Sequence, residues 1–243
     1  MRLAALRPLM SKELRQIGRN RTALLTASLL PFVILFIAPV QLLVAAKAGN
    51  GGQTIPPLPG LADTDPAHLL VQFLYPLLLV LGGLLLPSLT TTYAIVAERE
   101  RRSLELLVSL PVSVGEIITA KLLSVLVVTA IIGVPYVAII LTLLLVLGVA
   151  DVWTIPALLA PFLAAIACST GIALLLTLLA RDFRTANNLN GVFFVPAMFV
   201  SLGVLMGVGG PARTYVLALL LLLLAAVAIF AALRWVSFER YLE

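Results

Sequence analysis

Long runs of apolar residues with almost no charge occupy most of this chain, and they restrict its fold more than any other feature. Apolar residues make up 62% of the 243 residues and charged residues 11%, which is more apolar than a soluble core of this size requires. Only helices or closed barrels satisfy every backbone polar group inside a membrane, and a spanning helix needs roughly 20 residues. Because the runs are continuous and do not alternate with polar residues, they predict an all-α, polytopic membrane protein.

We count about six such runs, which predict a bundle of about six transmembrane helices in a single membrane domain over 1–243. The predicted spans cover 22–46, 69–97, 116–149, 152–180, 191–208 and 214–235. They leave no room for a soluble domain. The first run is too long and too rich in proline for a cleaved signal peptide, so we expect it to remain in the protein.

Lysine and arginine are segregated between alternate connections of this predicted bundle. The basic connections precede the first span, follow the second, the fourth and the sixth, and leave only Lys47 and Arg213 for the others. Basic residues in short loops stay in the cytoplasm. The pattern therefore predicts a multi-pass protein of the cell membrane with cytoplasmic 98–115 and 181–190 connections, and with both termini, including the 236–243 tail, in the cytoplasm.

The connection over 47–68 is then external, and it is rich in glycine and proline, a composition typical of irregular structure. It is a passive connector or, alternatively, a gate or a contact for a partner. The sequence leaves both interpretations open.

Residues 1–21, before the first span, predict an amphipathic helix at the membrane surface. Met10 and Leu14 recur at helical spacing, and Lys12 and Arg15 lie on another face. We expect the apolar stripe to lie in lipid and the basic face to contact anionic headgroups. Alternatively, the basic residues act only as a topology signal.

A dense cluster of charge separates the second predicted span from the third. Its charged and apolar residues fall on different faces of a helix, and opposite charges four residues apart, as at Glu98 and Arg102, stabilise such a helix. Pro111 ends this segment, and Ser113 with Glu116 forms a capping box that begins the next span. A helix that simply lies on lipid is the alternative, but lipid binding favours a basic face and this one carries both signs of charge.

The motifs of several enzyme classes are missing from the sequence. It has no Gly-x-x-x-x-Gly-Lys-[Ser/Thr] loop for ATP phosphates, no Gly-x-Ser-x-Gly or His-Glu-x-x-His motif, and no carboxylate pair within a predicted span. His68 and Cys168 are each the only residue of their type, so they predict neither a metal site nor a disulfide. The spans contain essentially no ionisable group, which disfavours an ion-coupled carrier. We expect no catalytic, cofactor or metal site within this chain.

The charged segment resembles the connection between the second and third spans of ABC-2 type transporter permeases. In that family an acidic and basic stretch leads into a Leu-Glu, Leu, Ser, Pro, Ser pattern and then a Glu-Ile-x-x-x-Lys segment. Here the matching positions are Ser103-Leu104-Glu105, Leu107, Ser109, Pro111, Ser113, Glu116-Ile117 and Lys121. Ser103 departs from the family, where many members have Gly-Thr before the leucine. The opening Lys12-Glu13-Leu14 and the fourth and fifth spans are also similar to the family, so the resemblance covers essentially the whole chain.

The resemblance implies the membrane subunit of an ATP-driven transporter. Two permease copies, identical or paralogous, would form the pathway, and two cytoplasmic ABC ATPase subunits would bind ATP and Mg²⁺. Membrane lipid is expected as a further partner and nucleic acid is not. The charged helix over 98–110 would be the coupling helix that docks on the ATPase. Its contact residues would be Glu98, Arg99, Glu100, Arg101, Arg102, Leu104, Glu105 and Leu107. A second candidate contact, or else a plain turn, consists of Arg181, Asp182 and Arg184.

Polar residues in or beside the spans are candidates for lining the pathway. They are Thr90, Thr91, Thr92, Tyr93, Ser169, Thr170, Asn187, Asn188 and Asn190. They suit a hydrophobic or amphiphilic cargo, such as a drug, a lipid or a glycolipid-like molecule; alternatively, they form hydrogen bonds between helices. A second hypothesis for the whole chain is a membrane scaffold or assembly factor that transports nothing and recruits a cytoplasmic partner through the 98–110 helix.

Overall fold

The computed structural model describes residues 8–12, 14–15, 33, 40, 73–100, 114–146, 151–179, 183–210 and 212–235. Five long helices contain most of them: α1 (Tyr75–Glu100), α2 (Val114–Val146), α3 (Thr154–Leu179), α4 (Phe183–Gly207) and α5 (Ala212–Trp235). No strand occurs within the described ranges. The all-α fold predicted from the continuous apolar runs is therefore confirmed.

Four of these helices are long and apolar enough to cross a membrane. Within the described residues, the candidate spans are Thr119–Val146, Thr154–Leu176, Arg184–Gly207 and Ala212–Ala232, and α1 contains a shorter apolar stretch, Tyr75–Ser88. The predicted membrane helical bundle is therefore confirmed as a class. The first predicted span, over 22–46, lies outside the described residues except for two positions, and it stays a prediction.

Two helix boundaries differ from the sequence-based expectation. α4 begins at Phe183, where we predicted a loop over 181–190 and a span from residue 191. No glycine or proline interrupts the stretch from 183 to 190, and its threonine and asparagines lower helix propensity only slightly. In addition, α1 continues without a break to Glu100, so the backbone at residues 98–100 extends the helix that precedes the charged cluster.

α3 lies at the centre of the described helices. It packs most extensively against α5 and α1, and it also contacts α2 and α4. α3 is the most buried of the candidate spans, α2 and α5 are less buried, and α4 is the least buried. The other helices therefore pack around α3.

Two glycines allow neighbouring helices to approach α3 closely. A Cβ added at Gly83 of α1 would lie 2.9 Å from the carbonyl oxygen of Phe162 and 2.9 Å from the Cβ of Ala165. A Cβ added at Gly171 of α3 would lie 2.9 Å from Cγ1 of Ile229 on α5. Because lipid tails are as apolar as the side chains, close van der Waals packing is what holds membrane helices together. Both contacts depend on the missing side chain.

Two clusters of buried apolar side chains join the helices. One lies between α1, α2 and α3 and includes Tyr75, Leu86 and Phe162. The other joins α1, α3, α4 and α5 and includes Leu84 and Leu205. On α5, the buried positions follow helical spacing: Ala218, Leu221, Ala225, Ala228 and Ala232. Its opposite face is exposed and apolar, as expected of a helix that faces lipid or another subunit.

The connection between α2 and α3 presents a large exposed aromatic side chain. The amide of Thr154 donates to the carbonyl of Asp151 at 2.9 Å, and the hydroxyl of Thr154 accepts from the amide of Asp151 at 3.2 Å. Trp153, between them, is 85% exposed. Tryptophan at the end of a membrane span is typically located at the level of the lipid headgroups. We expect Trp153 to mark this level.

Tryptophan fluorescence tests this position, because the chain contains only two tryptophans. Replacing Trp235 with phenylalanine leaves Trp153 as the only emitter. In vesicles, we expect lipids brominated near the glycerol to quench this emission more than lipids brominated near the ends of the acyl chains. A control with both tryptophans replaced by phenylalanine and with Leu223→Trp on the exposed face of α5 should show the reverse order. The same order of quenching by the two lipids in both proteins would contradict the placement of Trp153 at the headgroup level.

Candidate functional site

Successive spans of a helical bundle joined by short connections run in opposite directions. The last turn of α1, the first of α2, the last of α3, the first of α4 and the last of α5 therefore share one end, which we call the basic end. Lys12, Arg15, Arg184 and Arg234 belong to it, and all four are exposed. In the described part of the chain, the exposed cations therefore lie at the end where the charged cluster begins.

Residues 8–12 and 14–15 are helical and lie beside α2 at the basic end. The hydroxyl of Ser124 donates to the carbonyl of Met10 at 3.4 Å and to that of Ala120 at 2.8 Å. Met10 and Leu14 are half-buried, whereas Lys12 is exposed. In these described residues the protein covers part of the apolar stripe, where we expected lipid alone, and the helix over 1–21 stays a prediction.

Two cations are buried near the ends of candidate spans. Lys121 is 3% exposed on α2, and Arg213 is 8% exposed on α5. The guanidinium carbon of Arg213 lies 4.4 Å from the ring centroid of Phe73, at the end of the bundle opposite the basic end. The sequence placed Arg213 in a connection between spans and Lys121 near the start of the third predicted span. A cation over an aromatic face is stabilised electrostatically, which helps Arg213 to lie inside the bundle.

The predicted coupling residues are described only in part. The backbone of Glu98, Arg99 and Glu100 forms the last turn of α1. The others lie outside the described residues: Arg101, Arg102, Leu104, Glu105 and Leu107. Their contact with a partner therefore stays a prediction. Of the second candidate contact, Arg181 and Asp182 lie outside the described residues, and Arg184 is exposed at the start of α4.

Two of the predicted pathway residues use their hydroxyls within their own helices. Thr90 donates to the carbonyl of Leu86 at 2.8 Å, and Thr170 donates to that of Ile166 at 2.7 Å. Both side chains are buried. Such bonds to the preceding turn satisfy a hydroxyl without any polar surroundings. The geometry of both residues agrees with a packing role.

Ser169 forms a hydrogen bond between two helices. Its hydroxyl on α3 donates to the carbonyl of Leu84 on α1, next to the close contact at Gly83. This bond is the interhelical alternative that the sequence left open. It holds α1 to α3 near the middle of both helices.

We expect Ser169→Ala to lower the free energy of unfolding by about 0.5–1.5 kcal/mol, because one hydrogen bond between helices is lost. Thr142→Ala is the matched control, since its exposed hydroxyl bonds only to its own helix, at Ala138. The control should change stability less. Thermal unfolding in detergent measures both, and equal stability of the two variants would contradict the role of Ser169.

The remaining predicted pathway residues differ in their surroundings. Thr91 is buried, and its hydroxyl has no hydrogen-bond partner. Asn190 is buried and has an interaction partner, whereas Asn188 is exposed. The side chains of Thr92, Tyr93 and Asn187 lie outside the described residues. The predicted set therefore separates into packing residues and a few with unassigned polar groups.

The helices, their apolar exposed faces and their buried hydroxyls define a multi-pass membrane protein. The chain matches the family model of the ABC-2 type transporter over residues 5–206, which includes α1, α2 and α3 completely and α4 almost to its end. The chain therefore belongs to the ABC-2 type transporter family, as the charged segment indicated. It is a permease component of an ABC transporter, a class that associates with an ABC ATPase subunit. No curated protein matches the chain.

Proposed function

We propose that this protein is the membrane subunit of an ABC exporter for a hydrophobic or amphiphilic cargo. The complex contains two permease copies and two ATPase subunits, and the ATPase subunits bind ATP and Mg²⁺. The protein spans the cell membrane, and the basic end and both termini lie in the cytoplasm. The observation that carries the proposal is the family match over residues 5–206.

The packing around α3 supports a pathway shared between two copies. α1 and α5 approach α3 at Gly83 and Gly171, so closely that even one added carbon at either glycine would clash. The hydroxyls of Ser169 and Thr170 on α3 are occupied by backbone carbonyls. A cargo does not fit between helices packed in this way. The faces that a single chain leaves exposed are better placed to line a pathway.

The exposed face of α4 supports the choice of cargo. α4 is the least buried of the candidate spans. Its exposed side chains include Val192, Val195, Phe199 and Met206, and Asn188 lies toward the basic end. A surface of this composition favours a molecule with a large apolar body and a polar group. Drugs and lipids both have this chemistry.

The continuity of α1 supports coupling to an ATPase. The helix runs unbroken from the bond at Leu84 to Glu100, where the charged segment begins. Both signs of charge in that segment offer charge-assisted hydrogen bonds to a partner protein. Because the charged segment follows directly from α1, a displacement of the segment moves the end of α1.

Purification from the native membrane tests the proposed complex. A tagged permease should bring with it an ATPase subunit in equal copy number, with the assembly measured by native mass spectrometry. Repeated absence of an ATPase would refute the proposal. An ATPase that co-purifies but supports no ATP-dependent movement of lipids or dyes in vesicles would favour the scaffold hypothesis.

A further inference from the structure

Thr91 has the one buried side-chain hydroxyl within the described residues that lacks a hydrogen-bond partner. It is 2% exposed. Other buried hydroxyls donate to the carbonyl one turn earlier, as at Thr129 with 2.8 Å and Ser201 with 2.7 Å. A buried polar group without a partner is unfavourable. The exception at Thr91 therefore needs a physical reason.

Thr90 and Thr91 are neighbours on α1, but they face different parts of the bundle. Thr91 shares a helix face with Val80 and Leu84, which belong to the cluster formed with α3, α4 and α5. Thr90 follows Leu86, which belongs to the cluster formed with α2 and α3. The paired and unpaired hydroxyls thus lie on separate sides of α1.

The contacts of α1 with α3 and with α4 differ in strength. Toward α3, the glycine contact at Gly83 and the bond from Ser169 hold α1 in place. α4 packs against α1, α3 and α5, but it is the least buried candidate span, and no close glycine contact or described interhelical hydrogen bond holds it to α1. A separation of α4 from α1 is therefore the least costly way to open the Thr91 face. Thr91 is also about 10 Å along the helix from Glu98, where the charged segment begins.

We propose that the transport pathway extends from the exposed faces to Thr91 when α4 separates from α1 during ATP hydrolysis, and that the Thr91 hydroxyl then bonds to water in the open pathway. The closed packing described here leaves the hydroxyl unpaired. Thr90, Ser169 and Thr170 remain in packing contacts throughout the cycle. This inference rests on the proposed function, because it requires an ATPase partner to drive the opening.

Cysteine labelling in the complex with the ATPase tests the inference. The only cysteine of the chain, Cys168, is buried, and Cys168→Ala removes it as a background. In that protein, reconstituted in phospholipid vesicles, Thr91→Cys should react several-fold faster with a small methanethiosulfonate reagent during ATP hydrolysis than without nucleotide. Thr90→Cys is the matched control and should stay unreactive in both conditions. Asn188→Cys, at an exposed position, confirms that the reagent is active.

Several outcomes would overturn the inference. Thr91→Cys that stays unreactive while Asn188→Cys reacts would show that water does not reach this position. Equal reaction of Thr91→Cys and Thr90→Cys, or equal reaction of Thr91→Cys with and without ATP, would also contradict it. Failure of the proposed function is seen separately, as absence of an ATPase from the purified complex before labelling begins.

A second variant provides an independent measurement. Thr91→Val keeps the shape of the side chain and removes the unpaired hydroxyl, so it should raise the melting temperature by roughly 2–4 °C. The same change favours the closed state, so ATP turnover of the complex should fall, and Thr91→Ser should restore both values. A lower melting temperature for Thr91→Val would mean that the hydroxyl is paired in the closed state, and unchanged turnover would mean that it has no part in the cycle.

Discussion

Reversing the charges of the predicted coupling segment is expected to abolish ATP-driven transport. In the triple variant Glu98→Arg, Arg101→Glu and Arg102→Glu, attractive contacts with the ATPase become repulsive. A hydrogen bond to a charged group contributes about 1.5–3 kcal/mol, so the loss of three weakens the complex by about a thousandfold or more. Movement of a fluorescent lipid in vesicles should fall to the level seen without ATP.

Two charge reversals elsewhere on the predicted cytoplasmic surface provide the control. Arg240→Glu and Glu243→Arg change charges in the predicted tail and should leave transport intact. The triple variant should still be present in the membrane at wild-type amount, since none of its changes falls in an apolar span. Transport that survives the triple reversal would disprove the coupling role of the segment.

Gly83→Leu is expected to separate α1 from α3 and to destabilise the whole bundle. The first added carbon would lie 2.9 Å from the backbone oxygen of Phe162, which cannot move without shifting α3. Overpacking of this kind costs about 1–3 kcal/mol, and each kcal/mol lowers the melting temperature of a protein of this size by about 2–4 °C. The bond from Ser169 to Leu84 would be lost with the contact, because it lies beside it.

Gly203→Leu is the matched control for this change. Gly203 also lies inside a candidate span, but a Cβ there would meet nothing within 4 Å. Leucine has a higher helix propensity than glycine, so this variant should be as stable as the wild type or more so. Thermal unfolding in detergent compares the two variants, and a similar decrease in both would show that the contact at Gly83 does not hold α1 to α3.

The sequence was sufficient for features that depend on long stretches of residues. The continuous apolar runs predicted helices that the structure places at 114–146, 154–179 and 212–235, close to the expected bounds. The start of α4 was missed because polar residues such as Asn188 are common in loops but are tolerated in a helix. Composition therefore shows where a span must lie more clearly than where its helix begins.

Features that depend on neighbours in space were not predictable in the same way. Whether Ser169 lines a pathway or bonds to another helix depends on which carbonyl packs against it, and that is Leu84 of α1. The burial of Arg213 depends on Phe73, far away in the sequence. The unpaired hydroxyl of Thr91 gives no sequence signal at all, since its neighbour Thr90 is the same residue type with a bonded hydroxyl.

Cross-linking from the charged segment to the ATPase tests the central claim most directly. In the cysteine-free protein, Leu104→Cys carrying a photoactivatable label should give one product with the combined mass of the permease and an ATPase subunit. The same label at Trp153→Cys, at the opposite end of the bundle, should give none. We expect cross-linking from residue 104 alone. An ATPase that is present in the complex but is not cross-linked from residue 104, or is cross-linked equally from residue 153, would contradict the coupling role of the segment.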